Sequence, residues 1–432
     1  MRGTGMRRVA LAAVSALILS AILSAPAAAA SGWLDPTFSG NGWLRLEASA
    51  FAPEGIQDVI VSAGPNGRVA VARYRADGDA SELDGIMLTA AGTVSPAFND
   101  GEWLSVSVVS DGGSLAGFFA TAGGGFVGAH YGEFARSIRI REASAAGDVV
   151  RQGGVTLDGD SAGSGRLLRL PGGSYRTCYH SGIDETDVLL GFTSTLQLDP
   201  AVGPNGRRAI DVGCNLVGHD TSGHLYFAQG GPGSGGGPLE LWRTTTSGSV
   251  DMAWADGGMT LVQRGGITID LPLAGHPHQP SRTSLDGAHA PMTVLADGSI
   301  LLAARATRDL VSDRWSAAIV KLTPDGEMDA SFGSGGVRAF GPAGGQSRLV
   351  AMAVDASGRA VVSAVYNFPD GRTRSFLARL TPTGGFDTSF GRAGLIQQTF
   401  TASSIAIDSA GRILTAAWDI NQETIIVARR KG

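Results

Sequence analysis

Cysteine, histidine and charge are all scarce in this chain, and each shortage narrows what it does. Two cysteines in 432 residues leave room for one disulfide. Charged residues are 17% of the chain, with 34 Lys and Arg against 39 Asp and Glu, for a net charge of −5. A mildly acidic chain without a basic stripe is a poor nucleic-acid binder, and no nucleic-acid partner is expected. Beyond the N-terminus no apolar run is long enough, or free enough of charge, to span a membrane. The glycine runs at 123–125 and 231–237 do not lie between a strand and a helix, so they are not phosphate loops. Helical periodicity is nearly absent. The one low-complexity stretch, Gly230 to Gly237, reads as a loop.

What the chain does have is glycine, 64 in all, set in a repeat. LTPDGEMDASFGSGGV (Leu322 to Val337) recurs as LTPTGGFDTSFGRAGL (Leu380 to Leu395). LDPTFSGNGW (Leu34 to Trp43) is a third copy. Weaker copies begin at Val94, Leu198 and Val250, and a degraded one runs from Gly147 to Val155. The residues after the glycine turns are Trp43, Trp103, Val155, Arg207, Met259, Val337 and Leu395. They are spaced by about 52 to 60 residues, with one step of about 78, which is propeller-like periodicity. Each step holds four short apolar runs. The second and third are joined by Asp/Asn/Ser-Gly hairpin signals such as Asp355 to Gly358. Four antiparallel strands per unit make a propeller blade. The chain therefore reads as an all-β, seven-bladed β-propeller. The last unit stops where the others continue into the motif, and the first motif opens the folded part, so the N-terminal segment closes the ring.

The domain reading follows. Residues 1–30 form a Sec-type signal peptide, with Arg2, Arg7 and Arg8 before an apolar run from Val9 to Leu23 and cleavage near Ala30. Residues 31–432 form one propeller domain. Its units are about 43–102, 103–154, 155–206, 207–258, 259–336, 337–394, and 395–432 completed by 31–42. The expected location is the periplasm or the outside of the cell, as a monomer.

The motifs resemble the delta-60 repeat, an LDxSFGxGG element found in tandem in exported bacterial proteins. The resemblance covers nearly the whole chain after residue 30. It is strong at Leu34, Leu322 and Leu380 and weaker in the middle, where Ser95 replaces the Asp and Val202 and Trp254 replace the Phe. It implies a propeller-like repeat and says little about activity.

Within the motif, Asp35, Asp199, Asp251, Asp329 and Asp387 share one slot, read as acceptors for the N–H groups of the following turn. Phe38, Phe332, Phe390, Phe98 and Trp254 share another, read as wedges between blades. Cys178 and Cys214 are expected to form a disulfide between adjacent units on one face.

Candidate sites lie on the face with variable loops. The largest insertion, about Gln263 to Ala290, holds His276, His278 and His289, possible metal ligands with no standard zinc spacing. Asp184, Glu185 and Asp187 form a carboxylate cluster suited to structural calcium, as do Asp77, Asp79, Glu82 and Asp84. Arg45, Arg207, Arg208, Asp211 and Arg338 are read as inner-strand residues facing the channel, where they would recognise an anion or sugar acid. The leading functional reading is an exported binding or scaffold module for a protein or glycan, with no assignable chemistry. The alternative is a glycan-active hydrolase or lyase with its site at the channel mouth.

Overall fold

The computed structural model describes residues 32–47, 56–77, 80–109, 113–132, 136–157, 166–231, 237–271, 291–307 and 315–432. Seven antiparallel sheets stand in a ring. The chain opens with β1 (Trp43–Glu47). Blade 1 is β2 (Ile56–Ala63), β3 (Val69–Asp77), β4 (Ala80–Leu88) and β5 (Leu104–Val109). Blade 2 is β6 (Gly113–Ala120), β7 (Phe126–Gly132), β8 (Ser137–Ala143) and β9 (Val149–Thr156). Blade 3 is β10 (Leu168–Arg169), β11 (Tyr175–Ser181), β12 (Thr186–Phe192) and β13 (Arg207–Ile210). Blade 4 is β14 (Leu216–His219), β15 (Leu225–Gly230), β16 (Leu239–Thr244) and β17 (Met259–Val262). Blade 5 has a divided first strand, β18 (Thr268–Asp270) and β19 (Met292–Val294), followed by β20 (Ile300–Thr307), β21 (Ser316–Leu322) and β22 (Val337–Phe340). Blade 6 is β23 (Gln346–Val354), β24 (Ala360–Asn367), β25 (Thr373–Leu380) and β26 (Leu395–Gln398). Blade 7 is β27 (Ser404–Ile407), β28 (Ile413–Asp419), β29 (Thr424–Arg430) and β1.

The expected seven blades and the expected closure are both present. β1 pairs with β29 from Trp43↔Ala428 to Glu47↔Thr424, so the two ends of the folded chain share one sheet. The phase of the blades differs from the sequence reading by one strand. The strand after each glycine turn is the fourth and outermost of its sheet, not the first of the next. The first strands meet one another around the axis, β23 with β27, β27 with β2 and β2 with β6. The glycine turn thus returns the chain along the same sheet, and the passage to the next blade comes one strand later.

Apolar side chains from facing sheets fill the spaces between blades. Phe38 sits among Val59, Val71, Leu88 and Leu414, between blades 7 and 1. Phe98, Phe332, Phe390 and Trp254 hold the same position at four other interfaces, and Val202 at a sixth. Each of these aromatics is almost wholly buried. Near the axis the first strands lack an inner partner, and serines supply one in part. Ser404 Oγ accepts the Val61 N–H, and Ser62 Oγ accepts the Ala120 N–H. These bonds satisfy backbone groups that burial would otherwise leave costly.

The insertion of unit 5 interrupts an innermost strand. β18 pairs with the Arg305 to Thr307 end of β20, and β19 with the Ile300 to Leu302 end. His276, His278, His289 and Asp286 lie outside the described residues, as do the N-terminal 31 residues and Asp79.

Candidate functional site

The two faces of the ring are unlike. On one, the turns between first and second strands are the same length in every blade: 64–68, 121–125, 170–174, 220–224, 295–299, 355–359 and 408–412. On the other, connections between second and third strands range from 78–79 to 231–238. Passages between blades range from 110–112 to 157–167. One face is constant by construction and the other is free to vary.

The constant face carries the repeated motif, which works as a clasp. Asp35 Oδ1 accepts the Thr37 N–H at 3.1 Å, and Asp199, Asp251, Asp329 and Asp387 accept the N–H two residues on in the same way. The other carboxylate oxygen binds a cation. The pairs are Asp35–Arg429 (2.8 Å), Asp251–Arg243 (2.6 Å), Asp329–Lys321 (3.0 Å) and Asp387–Arg379 (2.8 Å). Each of these cations lies on the third strand and accepts the Asp N–H with its own carbonyl. Blade 3 has Gly191 in that slot. Arg176, the cross-strand partner of Gly191, reaches over it to Asp199 at 2.7 Å. A Cβ on Gly191 would lie 3.0 Å from Arg176 Nη1 and 2.4 Å from Val202, so the glycine is what lets the arginine through. Where Ser95 replaces the Asp, Met87 replaces the cation, and both partners are lost together. The cation stands eight residues before the Asp in three blades. That spacing is present in the sequence, but it falls in the strand before the motif, outside the repeat that the glycine turn marks.

Five of the motifs also hold the turn of the next blade. Ser39 N–H donates to Ala91 O, Asn99 N–H to Ala146 O and Gly333 N–H to Thr383 O. Trp254 Nε1 donates to Pro324 O and Arg176 Nε to Thr246 O. Gly92, at φ +76°, would place a Cβ 2.6 Å from the Phe38 ring, so the turn of one blade needs glycine to receive the wedge of another.

The structure does not bring the arginines of the sequence reading to the channel. Arg45, Arg207, Arg208 and Arg338 all lie on outermost strands, and Asp211 follows one. Arg45 pairs with Asp419 at 3.0 Å, Arg207 donates to Thr156 O, Arg338 lies over the Phe386 ring, and Arg208 is exposed. They come from three different blades and share no site. The one-strand phase difference is the cause.

The carboxylates are likewise committed elsewhere. Asp187 Oδ1 is 3.0 Å from His180 Nδ1 and Glu185 3.7 Å from His180 Nε2, while Asp184 points to solvent. Asp84 is buried against Arg73 at 2.7 Å and Arg75 at 3.1 Å, and Glu82 pairs with Arg75. Among the described residues no group of three or more His, Cys, Asp or Glu is placed to hold a metal ion.

One buried titratable group has a measurable consequence. His130, between blades 1 and 2, is wholly buried, with Nε2 2.9 Å from Ser81 Oγ and its ring edge-on to Tyr74. Burial, and secondarily Arg139, push its pKa down to about 4. The unfolded chain takes up this proton below pH 6.5 and the folded chain does not until about pH 4. Stability is therefore full above pH 6.5 and falls by about 3 kcal/mol as the pH drops to 4. Asp84, raised by burial to about 6 despite Arg73, acts in the opposite sense over an overlapping range. The His130→Gln variant separates the two. In urea titrations the wild type should lose about 3 kcal/mol relative to the variant between pH 6.5 and 4, and parallel curves would refute the assignment.

At the axis, on the constant face, four first strands frame a cavity of about 420 Å³. Phe119, Leu168, Met292 and Val294 give it apolar walls, and Arg169, His219, Thr221 and Thr293 bring polar groups.

Cys178 and Cys214 are bonded, with Cα atoms 5.5 Å apart. Cys178 lies within β11, and Cys214 lies in the passage from blade 3 to blade 4.

A family described as "Domain of unknown function (DUF5122) beta-propeller" matches residues 295–332 and 357–390, each running from a constant-face turn of blade 5 or 6 to its motif aromatic. No curated protein is significantly similar in sequence. Among solved structures the chain resembles a puromycin hydrolase (13% identity, TM-score 0.49, 90% of this chain and 52% of that one). It also resembles a prolyl oligopeptidase B from Galerina marginata (12%, 0.36, 87% and 49%). A quinonprotein alcohol dehydrogenase-like protein from Bacteroides thetaiotaomicron is a third (10%, 0.34, 82% and 96%). The chain spans about half the length of the first two.

Proposed function

We propose that this propeller is an exported binding or scaffold module, of the delta-60 repeat type, that engages a protein or glycan partner through its variable face. The observation that carries this reading is the contrast between the faces. Seven equal turns and an interlocked clasp hold one side, while the other presents connections that run from 78–79 to 157–167 in extent on that rigid base. Loops on a rigid scaffold are where recognition residues collect. Two turn tips on the variable face also expose isoleucine, Ile183 at 64% and Ile420 at 70%. Exposed apolar side chains at loop tips suit contact with a partner. The disulfide agrees with export, since such bonds persist in oxidising compartments.

The test is a comparison of two surface variants in a glycan array and in a crosslinking capture from the native periplasm or medium. Ile183→Lys with Ile420→Lys alters the variable face, and Met252→Lys alters the constant one. The partner should be lost with the first and kept with the second. A partner retained by the first and lost with the second would place recognition on the other face and end this reading.

A further inference from the structure

We propose that the channel mouth on the constant face is a binding site for a small hydroxycarboxylic acid with an apolar face. This site is separate from the variable-face reading and does not rest on it. The cavity of about 420 Å³ is of the size that holds small-molecule ligands, and its walls come from the first strands of blades 2 to 5. Phe119, Leu168, Met292 and Val294 offer a surface for the apolar body of a ligand.

The polar groups select its chemistry. Arg169 is half-buried at the rim, and its Nη1 donates to Ala120 O. No carboxylate among the described residues pairs with it, unlike the clasp arginines. The nearest acid in the lining, Asp220, is used by its own turn. Its Oδ1 accepts the Ser222 and His224 N–H groups, and its Oδ2 lies 2.7 Å from His224 Nδ1. The lining therefore carries a guanidinium that no carboxylate bonds among the described residues, beside apolar walls that strengthen its field. A carboxylate is the group that a guanidinium in this setting takes up, through two parallel N–H donors.

His219 adds a second preference. Its Nδ1 lies 2.9 Å from Asp220 O. A carbonyl oxygen only accepts, so Nδ1 carries the proton and Nε2 of the neutral ring is an acceptor. Nε2 has no protein partner among the described residues. A ligand hydroxyl is the complementary donor, and the Thr221 and Thr293 hydroxyls line the same space. An acid with one hydroxyl and an apolar body satisfies all three features.

Calorimetric titration with 3-phenyllactate tests this, because that probe carries a carboxylate, a hydroxyl and a ring. Its amide is the uncharged counterpart. The acid should bind, and the amide should bind at least about tenfold more weakly. Arg169→Gln should weaken the acid by at least about tenfold while leaving the amide unchanged. Arg169→Lys should lose less than the Gln variant, because it keeps the charge. Melting curves check that each variant is folded. If Arg169→Gln does not fold, the Lys variant and the acid–amide comparison on the wild type still decide. No binding up to about 10 mM, equal affinity for acid and amide, or an Arg169→Gln variant that binds the acid normally would each overturn the proposal.

Discussion

Arg429→Met should destabilise the protein by about 3–5 kcal/mol, the cost of leaving a buried charge without its partner. The Arg429 side chain is 1% exposed and that of Asp35 6%. Burial works against ionisation of Asp35, but hydrogen bonds from Thr37 and the Arg429 charge outweigh it and hold the carboxyl below its ordinary pKa. Arg429 also donates to Ala90 O and Thr37 Oγ1 and lies over the Phe38 ring at 4.8 Å. One side chain thus ties the last strand of the chain to its first motif and to blade 1. Removing it strands the carboxylate and loosens the wedge where the ring is closed.

Blade 1 supplies the control. Ser95 and Met87 occupy the same two slots without charge. The double variant Asp35→Ser with Arg429→Met recreates that pair and should be markedly more stable than Arg429→Met alone. A urea-denaturation cycle of the four proteins measures the coupling. A single Arg429→Met variant within about 1 kcal/mol of wild type would show that the clasp contributes little to closure.

Reduction of the disulfide should lower stability by up to about 4 kcal/mol, the loop-closure entropy for a bond joining residues 36 apart. Cys178 is wholly buried beside Leu189, Val202 and Phe227, and Cys214 lies against the same cluster. The bond therefore fastens the passage between blades 3 and 4 to the second strand of blade 3. Cys178→Ala with Cys214→Ala should match the fully reduced protein in its denaturation midpoint. An oxidised protein no more stable than the double variant would mean that the native packing already supplies this restraint.

Much of the architecture was legible in particular residues. The Asp-x-x-Phe spacing with its glycine turn, seen at Asp35 and Phe38, Asp329 and Phe332, and Asp387 and Phe390, marks a turn and an apolar wedge whatever sheet it serves. Its count set the number of blades, and its presence at Leu34 with its absence after Arg430 set the closure. The channel reading failed at Arg207 and Arg338 for one reason. A strand's alternation shows which residues share a face, but not which neighbouring strand it pairs with.

The sequence by itself determined the repeat, the hairpin turns and the meeting of the two ends, because turn chemistry and side-chain period act over a few residues. Only the tertiary structure decided that the strand after each glycine turn is outermost, because pairing joins residues far apart in the chain. It alone decided that Arg176 replaces a missing third-strand cation by crossing Gly191, since that depends on the absence of one Cβ between two strands. It also decided that Arg169 and His219, about 50 residues apart and unremarkable in sequence, face one cavity, because adjacent blades converge at the axis.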